Sequence, residues 1–355
     1  MTYNIIGVMS GTSRDGIDLA YVQFDFKAQK WSFRFIKTET LAYSKAWEKR
    51  LGEADQFDTE QIKSLDKEYT IHLADKINSF IAKNHIVKID AVCSHGHTIF
   101  HQPDKNYTLQ IGNLPEISDL VNQKVICDFR TQDVQLGGQG APLVPIGDRL
   151  LFSDYDACIN LGGFANISLE QNNTRIAYDI CAVNTVLNFY ANTLGFSYDD
   201  KGQLAQDGKI SGALLNQLNA LPFYKEKPPK SLGIEWIKAV VIPLIESSSL
   251  LAKDILATYT EHIAQQLVKA LPSSGKPKIL ITGGGAYNDF LINRLKNLTP
   301  CSIIVPDKTL VDYKEALIFG LLGILKMRGE VNVLKSVTGA PRNHCAGFIY
   351  EPTNF

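Results

Sequence analysis

Two segments of one design, far apart in the chain, constrain its fold more than any other feature. In the first, an apolar run at 5–9 enters a turn containing Ser10, Gly11, Thr12, Ser13, Asp15 and Gly16, and a second apolar run at 19–26 leaves it. In the second, residues 157–161 enter Gly162, Gly163, Phe164, Ala165 and Asn166, and residues 167–169 leave. Each reads as a hairpin whose turn gathers backbone N–H groups at one point, the first adding hydroxyls and carboxylates. Amides and hydroxyls hold an anion and carboxylates a cation, so such a turn suits phosphate with magnesium, although the same composition also makes plain turns. A third glycine-rich turn, at 283–286, follows an apolar run at 278–282. It enters a predicted helix over 289–298 in which Phe290, Leu291, Leu295 and Leu298 keep near-helical spacing. The three turns describe a split nucleotide site. Two would grip phosphates from opposite sides, and the third would lie along the nucleoside, where glycine lets a flat base approach the backbone.

At 355 residues the chain is long enough for two domains. A net charge of −1 gives no pull toward nucleic acid or an anionic membrane. No apolar run approaches the ~18–20 residues of a membrane span. The first residues open directly into a strand, so no signal peptide is expected. The 6 cysteines are scattered without CxxC pairs, which fits reduced thiols in the cytoplasm.

Strands are predicted at 5–9, 19–26 and 31–40. A helix over 60–84 follows, carrying Ile62, Leu65, Tyr69, Ile71, Leu73, Ile77 and Ile81, then a short buried strand at 89–93. After residue 157 this order recurs: two strands around a glycine turn, a strand at 175–179, a helix at 185–194. The recurrence suggests two related α/β lobes. The expected domains are 1–135, with the first phosphate turn, and 136–355, with the second phosphate turn and the nucleoside turn; the last helices could pack back on the first lobe. The glycine- and proline-containing segment 137–145 reads either as a crossover between lobes or as a rigid surface loop. An apolar helix at 313–327 is expected to be buried between lobes.

No GxxxxGK[ST] is present, nor a GxGxxG opening a helix after a strand, nor a GxSxG elbow. His95, His97 and His101 could ligate a metal, hydrogen-bond a polar substrate, or serve structure alone. Arg130, just past a predicted strand at 124–127, suits a carboxylate or sugar oxygen, or a salt bridge to Asp128 or Asp133. Asp179 ends a strand of the second lobe, where it could act as general base or merely shape a turn. The charged stretch 199–208 could help hold magnesium or phosphate, or be a solvated loop.

Several longer motifs carry a resemblance. They are Met9-Ser10-Gly11-Thr12-Ser13-x-Asp15-Gly16-x-Asp18, Ser94-His95-Gly96-x-Thr98-x-x-His101-x-Pro103, Gln110-Ile111-Gly112 and Asp128-Phe129-Arg130. Gly137-Gly138-Gln139-Gly140-Ala141-Pro142-Leu143-Val144-Pro145, Asn160-Leu161-Gly162-Gly163-x-Ala165-Asn166 and Pro229-Lys230-Ser231 continue it. Gly283-Gly284-Gly285-Ala286-x-Asn288 and Thr338-Gly339-Ala340 complete it. In this order, over nearly the whole chain, the sequence resembles the anhydro-N-acetylmuramic acid kinase family.

The resemblance implies a two-lobed α/β fold of the actin/hexokinase-like (ribonuclease H-like) class, with mixed sheets flanked by helices and an active cleft between lobes. It implies a reaction in which water opens the 1,6-anhydro bridge of the sugar and the freed O6 takes the γ-phosphoryl group of ATP. The product is N-acetylmuramic acid 6-phosphate, formed in the cytoplasm during recycling of peptidoglycan. Asp179 matches the family's catalytic carboxylate. Gly11, Thr12, Ser13, Arg14, Asp15, Gly16, Ile17 and Asp18 match the ATP turn, with Asp18 toward Mg2+ carried on ATP. Gly162, Gly163 and Asn166 match the second phosphate turn, and Gly284, Gly285 and Asn288 the nucleoside side. His95, Thr98, Arg130 and Glu315 would face the sugar. Partners are then ATP and a small amino sugar, with no nucleic acid or membrane, and a homodimer is compatible with the family.

Two departures fall on the sugar side. The family usually follows the catalytic aspartate with Thr/Cys-Gly-Pro-Gly-Asn, whereas this chain has Ile180-Cys181-Ala182-Val183-Asn184. Both glycines are replaced, and the added side chains are expected to make the loop bulkier. His97 stands where the family normally has Gln. The alternatives are a kinase for another amino sugar, or a nucleotide-dependent sugar-binding sensor.

Overall fold

The computed structural model describes residues 1–11, 16–272 and 275–353. The first sheet grows from a meander. β1 (Thr2–Ser10), β2 (Gly16–Lys27) and β3 (Lys30–Ala42) are antiparallel neighbours. β4 (Ala91–Gln102) then lies parallel to β1 on its other side. β5 (Tyr107–Ile111) pairs antiparallel with the far half of β4, and β6 (Val125–Cys127) runs parallel to its near half. β1 is buried on both faces from Asn4 onward, as a central strand covered on each side must be.

The second sheet repeats this plan. β7 (Ala157–Leu161), β8 (Phe164–Gln171) and β9 (Thr174–Ala182) form the meander. β10 (Lys278–Thr282) lies parallel to β7, and β11 (Ser302–Ile304) parallel to β10. The orders are β3-β2-β1-β4-β6 and β9-β8-β7-β10-β11. One topology built twice, mixed in strand direction and flanked by helices, is the ribonuclease H-like arrangement that the resemblance implied.

The chain divides into two compact units, residues 1–151 with 313–355, and residues 152–312. The expected boundary at 135/136 therefore moves, and the chain end joins the first unit. The cause is close packing. Glycines on one face of helix Lys308–Met327 let it sit on the first sheet, Gly320 against Ile5 and Phe24 and Gly323 against Cys93. β12 (Phe348–Tyr350) then pairs antiparallel with β6. The helix expected between lobes is thus buried on the first sheet, and segment 137–145, expected as a possible crossover, lies inside the first unit.

Helix Thr59–Lys83 shows how the sequence builds these elements. Asp58 and Gln61 form a reciprocal capping box. Ile62, Leu65, Tyr69, Leu73, Ile77 and Phe80 recur every three or four residues and are buried, whereas Ile71 falls off that stripe and is exposed. Among the described residues no helix is long and apolar enough to cross a membrane. The cysteines are free, and four of them, Cys93, Cys127, Cys158 and Cys181, are buried.

Candidate functional site

In the first unit, β1 delivers Ser10 and Gly11 to the mouth of the first turn. Thr12, Ser13, Arg14 and Asp15 lie outside the described residues. On the departing strand Gly16 and Ile17 are buried, and Asp18 sits opposite Met9. The Thr40 hydroxyl donates to Asp18 Oδ1 at 2.6 Å.

Ser10 belongs to a buried ring of hydroxyls. Tyr69 donates to Ser10 Oγ at 2.9 Å, Tyr43 and Tyr69 are 2.5 Å apart, and Ser10 and Tyr43 are 2.7 Å apart. Each hydroxyl has one proton, so the three contacts close only if each group donates to the next. The Ser10 proton is then spent within the ring. His97 Nδ1, 2.8 Å from Ser10 Oγ, must therefore be an N–H donor. A glutamine amide can supply the same donor.

β4 runs on through the histidines rather than ending at 93, because β5 supplies a pairing partner as far as Gln102. His95 and His97 flank Gly96, whose φ of +75° suits glycine alone, and a Cβ there would lie 2.7 Å from the Ile111 carbonyl. His95 Nδ1 faces the Gly96 carbonyl at 2.9 Å, and Arg130 Nε donates to His95 Nε2 at 2.8 Å. Both ring nitrogens are engaged, which overrides the metal reading for His95. Burial, reinforced by Arg130, holds His95 well below its usual pKa, so it is neutral. Burial also pushes Arg130 down to about 10, against the pull of Glu315 and Asp133, so it remains a cation at neutral pH. Arg130 Nη1 donates to the Gly140 carbonyl at 2.7 Å. Thr98 is partly buried and accepts a long contact of 3.4 Å from Gln110. Glu315 is open to solvent. Crowding by surrounding protein raises its carboxyl, opposed by Arg130 and Lys314. The first unit thus brings His95 and Glu315 to the Arg130 guanidinium, whereas Thr98 contacts Gln110.

In the second unit, the Gly162–Gly163 turn sits on the start of helix Asn184–Thr193. The Gly163 carbonyl accepts from the N–H groups of Val183 and Thr185 and from the Thr185 hydroxyl, at 2.8, 3.2 and 3.0 Å. Asn166 lies opposite Asp179 in the β8–β9 ladder. The Gly283–Gly285 turn leaves β10, and Gly284 is exposed, a Cβ there meeting Asn184 Nδ2 at 3.8 Å. Asn288 is buried, and its side chain caps helix Asp289–Leu298 by accepting from Leu291 N–H at 2.9 Å. Its carbonyl oxygen is committed to that cap. Asp199 is likewise spent as a cap, accepting from Leu204 and Ala205 N–H at 2.7 and 3.0 Å, which disfavours the magnesium reading of that loop.

Asp179 is half-buried near the end of β9. Its N–H donates to the Lys230 carbonyl at 3.0 Å, and Leu232 N–H donates to its Oδ2 at 2.8 Å. The 230–232 segment thereby fixes the carboxylate and leaves Oδ1 as the oxygen turned to other uses. Desolvation raises its pKa, and the Leu232 N–H partly offsets this.

The departure at 180–183 differs from expectation. β9 continues to Ala182, and Ile180, Cys181, Ala182 and Val183 all point into the second unit's core, at most 4% exposed. Their added bulk fills the core rather than the loop surface.

Sequence reasoning missed Tyr43 and Tyr69, Leu232 and the full engagement of Asp133. These contacts join segments far apart in the chain. The Pro229-Lys230-Ser231 motif was the one legible sign of the clamp on Asp179.

A family profile described as anhydro-N-acetylmuramic acid kinase matches residues 3–352. A relative of that name from Pseudomonas syringae pv. syringae is 32% identical over 99% of this chain and 100% of its own length. Another, from Sulfurimonas denitrificans, is 32% identical over 98% of this chain and 99% of its own. Among solved structures, component A of the Acidaminococcus fermentans (R)-2-hydroxyglutaryl-CoA dehydratase overlaps 90% of this chain and 96% of its own, with a TM-score of 0.46 and 13% identity. That overlap is too loose to add to the strand order. The end-to-end match, at one-third identity, places this chain in the anhydro-N-acetylmuramic acid kinase family.

Proposed function

We propose that this protein converts 1,6-anhydro-N-acetylmuramic acid, ATP and water into N-acetylmuramic acid 6-phosphate and ADP. The observation that carries the reading is the family match from residue 3 to 352. Asp179 is assigned as general base. Its free Oδ1 takes a proton from water as the water oxygen bonds to C1 and the C1–O6 bond breaks. The released O6 bonds to the γ-phosphorus, and the bond between that phosphorus and the β,γ-bridging oxygen breaks, leaving ADP. Burial raises the pKa of Asp179, which makes its carboxylate a better proton acceptor.

Phosphoryl transfer needs positioning and charge neutralisation more than covalent help. Gly11 through Asp18 and the Gly162–Gly163 turn are assigned to the phosphates, with Asn166 beside the latter, and Gly284, Gly285 and Asn288 to the nucleoside. Arg130 is assigned to the sugar's lactyl carboxylate, with His95, Thr98 and Glu315 on the same molecule. Among the described residues no cluster of His, Cys, Asp or Glu could cage a metal. Mg2+ carried on the ATP phosphates would take one protein carboxylate, for which Asp18 is assigned. Bound there, Mg2+ would neutralise charge on the phosphate oxygens. A cytoplasmic site and a homodimer belong to the same proposal.

The test is ADP release with Mg-ATP and 1,6-anhydro-N-acetylmuramic acid, with mass spectrometry of the sugar. A product heavier by one water and one phosphoryl group is expected. ADP release without such a product would refute the reading.

A further inference from the structure

We infer that Asp133 is a positioning residue for Arg130 and that it acts through the backbone of Gly140, with Thr338 holding its other oxygen. The inference rests on the assignment of Arg130 to the sugar, and it concerns a carboxylate to which the reaction itself gives no task.

Asp133 is fully buried in helix Thr131–Gln135, three residues after Arg130. Burying a carboxylate is costly unless its lone pairs are filled. Here they are filled from segments distant in sequence. Oδ2 accepts from Gly140 N–H at 2.7 Å. Oδ1 accepts from the Thr338 hydroxyl at 2.8 Å, and His344 Nε2 stands 3.4 Å from the same oxygen. Gly138 passes so close that a Cβ there would lie 2.2 Å from Oδ2. The Thr338 carbonyl accepts from Gln139 N–H at 2.7 Å, so Thr338 grips the 138–140 loop and the carboxylate together.

Gly140 is the relay. Its N–H is held by Asp133, and its carbonyl receives Arg130 Nη1 at 2.7 Å. Arg130 Nε is set on His95 Nε2 at 2.8 Å. A guanidinium is planar, so two fixed N–H groups on different nitrogens set the orientation of the whole fork. Asp133 thereby aims Arg130 by fixing the carbonyl that receives it. The Thr338-Gly339-Ala340 and Gly137–Pro145 motifs, which have no reacting atoms, then share one purpose.

The test uses the full chain with Asp133→Asn, Thr338→Val and Thr338→Ser. Asn places an NH2 where one of the two donors points. The expected result is a sugar KM at least tenfold higher in D133N, with the ATP KM within twofold of wild type. A smaller rise is expected in T338V, and return toward wild type in T338S, which keeps the hydroxyl. A purely structural role would raise both KM values together and would lower thermal stability in proportion. NMR of the Arg130 Nε–H gives a readout independent of turnover. Its exchange with water should be slow in wild type and T338S and at least tenfold faster in D133N and T338V. Unchanged Arg130 exchange in the variants overturns the inference whether or not the sugar is turned over. Faster exchange in D133N and T338V, together with a wild-type protein that neither binds nor converts the sugar, would refute the proposed activity alone. If D133N does not fold, the Thr338 pair decides.

Discussion

Replacing Asp179 by Asn removes the proposed proton acceptor and little else. The carboxylate Oδ2 accepts from Leu232 N–H at 2.8 Å, and an amide oxygen can accept the same bond. Exchanging a charged for a neutral acceptor at one backbone N–H changes stability by ~1 kcal/mol. Desolvation raises the folded-state pKa of Asp179. Its contribution to stability is therefore present below its unfolded pKa and is lost as pH rises through the raised folded value. Once ionised, the buried carboxyl is a net cost, and Asn removes it. D179N should unfold at the wild-type temperature or above at pH 7. Its kcat/KM for the anhydro sugar should fall by about 10²–10⁴, the range of general base catalysis. Sugar opening and phosphorylation should fail together, because the displaced O6 is the phosphoryl acceptor. The assays are differential scanning calorimetry and coupled ADP release with product mass spectrometry. Turnover within tenfold of wild type would refute the assignment. So would a loss matched by an equal loss of folded protein.

Other predictions follow the same logic. Burial holds His95 well below its usual pKa, so the acid limb of the kcat/KM–pH profile should belong to Asp179, lie above the ordinary aspartate value and be absent from the residual activity of D179N; a limb retained there would contradict this. Gly7→Ala would put a Cβ 1.9 Å from the Ala316 carbonyl oxygen, so urea titration should show a loss of about 3 kcal/mol or more. His97→Gln should keep both stability and turnover. His97→Leu leaves a buried Ser10 lone pair without its donor and should cost ~1–3 kcal/mol in the same titration.

The local pattern of the chain carried the meanders, the glycine turns and helix Thr59–Lys83, because strand alternation and helical spacing are written in consecutive residues. The repeated strand order was visible only as a recurrence of elements. The unit boundary was not legible. What returns the chain end to the first sheet is a backbone approach between Gly7 and Ala316 and the pairing of β12 with β6, and neither has a local signature. The candidate residues were legible chiefly through motifs, and their partners were not. Leu232 clamps Asp179 through a backbone N–H that any residue could provide. Tyr43, Tyr69 and Asp133 act across long stretches of chain. The 180–183 substitutions were expected to thicken a loop. Their burial followed from where β9 ends, which alternation did not fix.

The central claim is that water opens the anhydro bridge and that the freed O6 is the phosphoryl acceptor. A single turnover in water enriched in heavy oxygen, quenched before the sugar's anomeric oxygen can exchange, tests it most directly. The account predicts one heavy oxygen on the sugar carbon C1 and none in the transferred phosphoryl group. Heavy oxygen in free phosphate, or a phosphorylated sugar that still holds the anhydro bridge, would contradict it.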